Sequence, residues 1–242
     1  MKKPVLSEKH RLFWGKEMTC MEKQRQWSDS FLVSALLALA GGFLDVYTYI
    51  CRGKVFANAQ TGNIVLVAAK AAEGEWRASM HYLVPVVAFA VGIWVAEVIH
   101  DRALASSRFH WRQAVLLIEI AVLVAAACIP VGDWNSVVNV MVSFVCALQL
   151  EAFRKVEGLP FASTMCTGNL RSGTESLYRG VKRRENGQLK KSGSYFGIIA
   201  WFMLGAAVGG VLSRAAGQWA VLAAAAFQLA ALLLMCRREW SN

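Results

Sequence analysis

Four acidic residues lie inside or at the ends of long apolar stretches, where an ionised side chain is costly. They are Asp45, Glu97, Glu119 and Glu151. An acid at the centre of a membrane-spanning helix costs about 2.5–3.5 kcal/mol on insertion scales, so such groups are candidates for binding ions or carrying protons. Asp45 is the strongest candidate, because the preceding Gly41-Gly42 pair favours a kink that would give the carboxyl polar neighbours. Glu119 is a candidate coupling residue.

Glu97 and Glu151 lie near the ends of their apolar stretches, close to basic residues. Glu97 has Arg102 nearby, and Glu151 has Arg154 and Lys155. Snorkelling and ion pairing are therefore the simpler interpretation of these two acids. Glu151 is kept as a second candidate coupling residue, since it lies nearly opposite Asp45 when the two halves of the sequence are aligned.

The tripeptide Thr-Gly-Asn occurs at positions 61–63 and again at 167–169. Each copy interrupts an apolar stretch, at 55–72 and 160–178. Threonine and asparagine are good N-cap residues and glycine permits a turn, so each copy predicts the start of a half-helix whose N–H groups face a ligand. The predicted substrate-binding residues are Asp45, Thr61, Gly62, Asn63, Thr167, Gly168, Asn169 and Arg171. The alternative is that the tripeptide is a capping and turn device needed only for folding.

Arg171 is the most unusual cation, because it follows the second Thr-Gly-Asn copy directly inside an interrupted apolar stretch. A guanidinium beside a helix N-terminus attracts a carboxylate or a phosphate. A salt bridge from Arg171 to Asp45 or Glu175 is an equally good interpretation.

Cysteine and histidine residues do not form a recognisable metal or catalytic pattern. The sequence has no CxxC, HExxH or GxSxG motif, and these are the motifs that would indicate zinc, a metalloprotease or a serine hydrolase. The histidines, His10, His81, His100 and His110, all fall outside the long apolar stretches. We therefore expect no cofactor, no metal site and no enzymatic activity.

Helices that cross a membrane are the elements that must position these residues. Of the 242 residues, 56% are hydrophobic and 17% are charged, and the mean hydropathy is +0.40, which is far more apolar than a soluble domain. A crossing needs about 20 apolar residues. Six segments approach that length: 31–50, 82–99, 114–130, 136–153, 194–213 and 217–236. The predicted fold is an all-α polytopic bundle with these six spans and two broken or re-entrant Thr-Gly-Asn segments.

The basic residues indicate the orientation of these spans. The chain has 26 Lys and Arg against 16 Asp and Glu, a net charge of +10. If the N-terminus is cytoplasmic, six crossings place most basic residues in the arm 1–28 and in the other cytoplasmic segments, as the positive-inside rule requires. Eight full crossings fit this rule less well and would leave Arg171 in the bilayer. Both termini are therefore predicted to be cytoplasmic, and the charge gives no reason to expect a nucleic-acid partner.

The two halves of the sequence resemble each other. Besides the tripeptide, Ala114-Val115-Leu116 recurs as Ala220-Val221-Leu222. Three crossings and one broken segment per half make the second half enter the membrane from the opposite side, which is an inverted repeat. We therefore divide the chain into a basic cytoplasmic arm (1–28), a first repeat (29–130) and a second repeat (131–242). A GxxxG pattern at Gly205 and Gly209 predicts close helix packing, within the subunit or in a homo-oligomer.

The motifs also resemble a known family. The residues that carry the resemblance are Gly42-Phe43-Leu44-Asp45, Phe56 and Thr61-Gly62-Asn63 in the first half, and Ala147-Leu148-Gln149, Phe153-Arg154-Lys155, Gly158 and Thr167-Gly168-Asn169 in the second. This pattern resembles the YoaK family of bacterial multi-pass membrane proteins, over about residues 30–236. The resemblance implies a protein of the bacterial cytoplasmic membrane with a domain of unknown function, and it implies no substrate.

Two functions fit these features. The first is a small-solute transporter or channel, with a central site at Asp45 and the two Thr-Gly-Asn half-helices and with an unknown solute or ion as ligand. The second is a membrane scaffold or accessory subunit that does not transport and that binds partners through the basic arm and the cytoplasmic loop 154–193.

Overall fold

The computed structural model describes residues 30–104, 111–156, 159–160 and 166–239. The predicted basic arm, 1–28, lies outside these residues. The described part of the chain contains eight α-helices: α1 (Phe31–Cys51), α2 (Gln60–Ala72), α3 (Trp76–Leu104), α4 (Trp111–Ala127), α5 (Asn135–Ala152), α6 (Cys166–Lys182), α7 (Gln188–Ala216) and α8 (Val221–Glu239). A 3₁₀ turn, Gly217–Ala220, joins α7 to α8, and two short strands, β1 (Lys155–Val156) and β2 (Leu159–Pro160), pair antiparallel between α5 and α6.

The six apolar segments predicted as crossings each fall largely within a helix. Four stretches of the described chain are long and apolar enough to cross a membrane: Phe31–Cys51, Trp76–Arg102, Asn135–Ala152 and Gln188–Arg237. The last is 50 residues long and contains α7, the 3₁₀ turn and α8. α4, with 17 residues, is slightly shorter than each of these four stretches. The prediction of an α-helical fold with apolar helices long enough to cross a membrane is thus confirmed for the described residues.

α1 forms the centre of the described structure. In its most apolar stretch of 18 residues, 78% of the residues are buried, against 22% in that of α3. α1 begins after Ser30, whose hydroxyl accepts a hydrogen bond from the backbone N–H of Val33. α7 and α8 both pack along α1. Side chains of α1 such as Asp45 are therefore enclosed by protein.

The crossing of α1 and α7 brings the two backbones into direct contact. A Cβ atom at Gly205 would overlap the carbonyl oxygen of Leu39, and one at Gly42 would overlap that of Phe202. Gly209 lies one turn further along, where a Cβ would be 2.9 Å from the carbonyl oxygen of Phe43. Close packing at the GxxxG pattern is confirmed, and it occurs within the subunit.

A second crossing, between α3 and α5, has the same construction. A Cβ atom at Gly92 would lie 2.9 Å from the carbonyl oxygen of Phe144 and 2.6 Å from the Cβ of Ala147. The helices also follow one order in both halves, with lengths of 21, 13, 29 and 17 residues in α1–α4 and of 18, 17, 29 and 19 in α5–α8. The short helices α2 and α6 pack on the long helices that follow them, α3 and α7.

Arg52, at the C-terminal end of α1, is fully buried. Its Nη2 donates to the carbonyl oxygen of Ile129 at 2.8 Å, and its Nη1 donates to that of Pro130 at 3.0 Å and to Asn135 Oδ1 at 3.3 Å. Its Nε donates to the Tyr47 hydroxyl at 2.9 Å. The guanidinium therefore holds the end of α1 against the loop between α4 and α5 through hydrogen bonds to uncharged acceptors.

Candidate functional site

After α1 the chain reverses direction and runs back along the helix it has just left. Gly53 and Lys54 have positive φ angles of 90° and 65° and make the reversal. The ring of Phe56 then stacks on that of Tyr49, with the centroids 5.0 Å apart. The segment 55–59 thus runs antiparallel to α1, from the end of that helix towards its middle.

Asn58 and Asp45 hold the returning segment against α1. The backbone N–H of Asn58 donates to Asp45 Oδ1 at 2.6 Å, and its Nδ2 donates to the carbonyl oxygen of Gly41 at 3.0 Å. The backbone N–H groups of Ala57 and Ala59 also interact with the Asp45 carboxyl. α2 therefore begins beside the middle of α1, with a carboxylate at its N-terminal end, where the helix dipole favours an anion.

The prediction that Thr61 or Asn63 caps the following helix is wrong. α2 begins at Gln60, its N-cap residue is Ala59, and no side chain makes the cap hydrogen bond. The buried side chain of Asn63 instead bonds to the backbone of Phe56, accepting from its N–H at 3.1 Å and donating to its carbonyl oxygen at 2.7 Å. Asn63 is thus a positioning residue that fixes the returning segment.

The second tripeptide also lies inside a helix rather than before one. α6 begins at Cys166, so Thr167, Gly168 and Asn169 belong to its first turn, and the predicted cap is again wrong. Asn169 is buried on the same face of α6 as Gly173, whose carbonyl oxygen accepts a hydrogen bond from the Ser192 hydroxyl of α7 at 2.9 Å.

A cavity of about 720 Å³ lies where the first turns of α2 and α6 approach α1. Of the residues predicted to form the site, it brings together Asp45, Thr61, Thr167 and Gly168. Gly62, Asn63, Asn169 and Arg171 are not among its lining residues. Among the described residues that line the cavity, Asp45 alone carries a charge, and it is 6% exposed.

Sequence reasoning missed several residues that line this cavity. Phe56 and Asn58 come from the returning segment, Phe89 and Phe202 from the long helices α3 and α7, and Leu150 from α5. Asn58 could have been found as a polar residue inside an interrupted apolar stretch. The aromatic and aliphatic residues give no such signal, because apolar residues are expected throughout a membrane helix.

Arg171 lies on the outer face of α6, in a shallow groove with Leu170, Thr174 and Tyr178. Its side chain is exposed. Glu175, its predicted alternative partner, pairs with Arg179 at 2.6 Å. The structure thus does not bring Arg171 to Asp45.

Glu119 is fully buried between helices, away from the cavity wall. Gln228 Nε2 of α8 donates to Glu119 Oε2 at 2.8 Å and lies 3.2 Å from Gln149 Oε1 of α5. Glu119 Oε1 has no hydrogen-bond partner among the described residues.

Glu97 and Glu151 form ion pairs at the ends of α3 and α5. The guanidinium of Arg154 contacts both carboxylates. The interpretation of these two acids as ion-paired end residues is confirmed, although the partner of Glu97 is Arg154 rather than Arg102. The pair of Arg154 with Glu97 is exposed at both ends, and exposed pairs contribute little to stability.

Cys166 offers a direct measurement of whether the cavity contains water. In full-length proteins that keep one cysteine each, we expect Cys166 to react with a small methanethiosulfonate reagent at least about tenfold faster than Cys146, because only an accessible thiolate is nucleophilic. Cys166 lines the cavity and is half-buried, whereas Cys146 is 2% exposed. Mass spectrometry of the folded, detergent-solubilised proteins gives both rates. Equal rates would mean that the cavity is dry.

The chain is similar to known proteins over most of its length. Residues 33–234 match the family described as "Protein of unknown function (DUF1275)". A curated relative, "UPF0700 transmembrane protein YoaK" of Bacillus subtilis (strain 168), is 28% identical over 149 residues. That match covers 59% of this chain and 65% of the relative's length. No solved structure matches the chain.

Proposed function

Since this chain belongs to the DUF1275 family, whose curated relative is a transmembrane protein, we propose that it is a transporter or channel for a small solute. The observation that carries the proposal is the cavity in which a buried carboxylate, Asp45, meets the first turns of two short helices, α2 and α6. The ligand sites of many transporters are built in this way from interrupted helices near the middle of the membrane. The proposed activity is transport without chemical conversion.

The proposed topology has six crossings, made by α1, α3, α4, α5, α7 and α8, with both termini in the cytoplasm of a bacterial cell. α2 and α6 are then half-crossings. α2 has 13 residues, which span about 20 Å at 1.5 Å per residue, less than the roughly 30 Å of a hydrocarbon core. The reversal at Gly53 and Lys54 returns the chain to the middle of α1 before α2 leaves again, as a re-entrant element would.

The proposed inverted repeat is supported by the two glycine crossings. Gly205 packs on the carbonyl of Leu39 and Gly92 packs on that of Phe144, so the first helix of each half crosses the long helix of the other half in the same way. Two halves related in this way could rock against each other around a fixed central site, which is how many inverted-repeat transporters alternate their access.

Replacing Asp45 with asparagine is expected to lower solute flux in proteoliposomes at least about tenfold, because a hydrogen bond to a charged group is worth about 1.5–3 kcal/mol. Asparagine keeps an oxygen that can accept the Asn58 N–H, so the fold should survive. The assay follows a panel of radiolabelled amino acids, sugars, organic acids and amines, with an internal pH-sensitive dye for protons. A variant with Lys182, Arg183 and Arg184 changed to glutamate is the control, since these residues are exposed and do not line the cavity.

The same two variants test the second candidate, a scaffold. Its supporting observation is the exposed basic turn between α6 and α7, formed by Lys182, Arg183 and Arg184. If the wild-type protein moves no solute and the charge-reversed variant loses a co-purifying protein, the transport proposal is wrong and the scaffold is favoured. If flux is present but Asp45→Asn leaves it unchanged, the protein transports by a route that does not use the central cavity.

A further inference from the structure

A chain of three buried polar side chains joins four helices in the interior of the protein. Glu119 of α4, Gln149 of α5 and Gln228 of α8 are each at most 1% exposed. Gln228 Nε2 donates to Glu119 Oε2 at 2.8 Å and to Gln149 Oε1 at 3.2 Å, and Gln149 Nε2 donates to the carbonyl oxygen of Leu37 in α1 at 3.1 Å. None of the three side chains lines the cavity.

The carbonyl of Leu37 fixes the orientation of both amides. A carbonyl oxygen only accepts, so the Gln149 atom that faces it is the nitrogen, and the Gln149 oxygen faces Gln228. The Gln228 atom that bonds to this oxygen is then also a nitrogen. Its two hydrogens serve the two acceptors, Gln149 Oε1 and Glu119 Oε2. Gln228 therefore has no hydrogen left for a further acceptor.

Two oxygen atoms of this group lack a hydrogen-bond partner among the described residues. They are Glu119 Oε1 and Gln228 Oε1, and both are shielded from solvent. They belong to the two side chains that the bond from Gln228 Nε2 to Glu119 Oε2 already joins. An acid and an amide joined in this way can form a second bond beside the first, provided that the acid has a proton to donate. A single proton would thus serve both oxygen atoms.

The surroundings of Glu119 are apolar. Glu119 lies in the middle of α4, and the leucines about one turn before and after it, Leu116 and Leu123, belong to two hydrophobic clusters of the core. Cys146 of α5 belongs to the same cluster as Leu123, and a thiol is uncharged at neutral pH. An ionised carboxyl group without a cation is costly in such an interior.

The basic residues of α4 and of the helices that pack on it lie near helix ends, and α5 has none. They are Arg112 in α4, Arg77, His81, His100 and Arg102 in α3, and Arg237 and Arg238 in α8. The guanidinium of Arg112 lies over the rings of Trp111 and Phe153. The partner of the Glu119 carboxyl among the described residues is the uncharged amide of Gln228.

We propose that Glu119 and Gln228 form a proton-binding site, in which Glu119 Oε1 carries one proton and donates it to Gln228 Oε1. The acid and the amide are then joined by two hydrogen bonds that run in opposite directions, and the pair is neutral. Loss of the proton would leave a negative charge between α4, α5 and α8, so the proton leaves only when this junction opens to water. Proton binding therefore holds the junction closed. This inference goes beyond the proposed function, because it requires neither the cavity nor a solute.

Infrared spectroscopy detects this proton directly. The C=O stretch of a neutral carboxyl group lies above the amide band, whereas that of a carboxylate lies below it. At neutral pH, in a detergent without ester groups, we expect the full-length wild type to show a neutral-carboxyl component that is absent from Glu119→Gln. Glutamine should preserve the fold, since its amide nitrogen can donate to Gln228 Oε1 in place of the acid. Glu97→Gln is the matched control, because Glu97 is exposed and pairs with Arg154.

The frequency of the same band tests the partner. Gln228→Met keeps the length of the side chain but removes both the donor and the acceptor. The Glu119 C=O group then loses its hydrogen bond, and its stretch is expected to move to a higher frequency. An unchanged frequency would mean that Gln228 is not bonded to the acid. If Glu119→Gln does not fold, this shift decides whether the acid is neutral and paired.

The pH dependence of stability tests the proton by a second route. An unfolded glutamate releases its proton near pH ~4.3, whereas the proposed site retains it in the folded protein. Stability should therefore fall as the pH rises, by up to about tenfold in the unfolding equilibrium per pH unit relative to Glu119→Gln. Titrations with a denaturing detergent at about pH 6, 7 and 8 give the difference, to which other titrating groups contribute equally in both proteins.

Three results would overturn the inference. The first is a neutral-carboxyl band that Glu119→Gln leaves intact. The second is the same pH dependence of stability in the wild type and in Glu119→Gln. The third is stabilisation of the wild type by sodium chloride but not by choline chloride, lost in Glu119→Gln, which would show that the site takes a metal cation instead. None of these results concerns transport, which the Asp45→Asn flux measurement tests separately.

Discussion

Replacing Gly205 with alanine is expected to destabilise the protein by more than about 3 kcal/mol. Overpacking usually costs about 1–3 kcal/mol, because side chains can shift to make room. At Gly205 the added Cβ would overlap the carbonyl oxygen of Leu39, which belongs to the backbone of α1. α1 and α7 would have to separate along their crossing, and the contacts of α1 with α7 would weaken together.

Gly193 provides the matched control on the same helix. It also lies in α7, but a Cβ atom there meets nothing within 4 Å. Gly193→Ala should therefore be neutral, or stabilising by up to about 1 kcal/mol through helix propensity. Unfolding midpoints of the two variants, followed by tryptophan fluorescence during titration with a denaturing detergent, give the comparison. Similar midpoints for both would show that α1 and α7 do not touch at Gly205.

Replacing Arg52 with methionine is the second change with a large expected effect. The substitution removes the donors that pair with the carbonyl oxygens of Ile129 and Pro130, with Asn135 Oδ1 and with the Tyr47 hydroxyl. Each buried acceptor left without a partner costs about 1–3 kcal/mol, so we expect a total loss of about 3 kcal/mol or more. The same denaturing titration measures it.

Arg52→Lys and Lys54→Met complete this experiment. Lysine keeps the charge but cannot reproduce the planar fork of donors, so it should recover only part of the loss. Lys54 follows closely in the chain but is exposed. Its Nζ lies 4.6 Å from the centre of the Tyr49 ring, so its replacement should cost no more than about 1 kcal/mol, the energy of an exposed cation–π contact. If Arg52→Lys were as stable as the wild type, the charge rather than the arrangement of donors would hold the loop.

The sequence allowed the helices and much of the site to be predicted, because both depend on local pattern. Long apolar runs indicated the helices, and an acid within such a run indicated Asp45. The helix-capping role predicted for the tripeptides is wrong. The spacing of Thr61 and Asn63 suggested helix caps, whereas Asn63 bonds to Phe56, a residue that precedes the helix. That partner becomes visible only once the chain is known to reverse.

The partner of Asp45 in the second half shows another limit of sequence reasoning. Alignment of the halves places Glu151 nearly opposite Asp45, but matches occur at two spacings that differ by one residue, and the other spacing selects Leu150. One residue along a helix turns the side chain by about 100°, so the choice decides between a cavity wall and an ion pair. In the structure Leu150 lines the cavity, whereas Glu151 pairs with Arg154.

The contact of α1 with α7 at Gly205 also limits how these helices can move. Sliding of packed helices normally relies on side chains that change rotamer. At this crossing a carbonyl oxygen lies where the side chain would be, so no rotamer change can accommodate a slide. Gly42, Gly205 and Gly209 all lie against the backbone of the facing helix, so a swing about one of these contacts would open the others. We therefore expect α1 and α7 to move as one rigid unit.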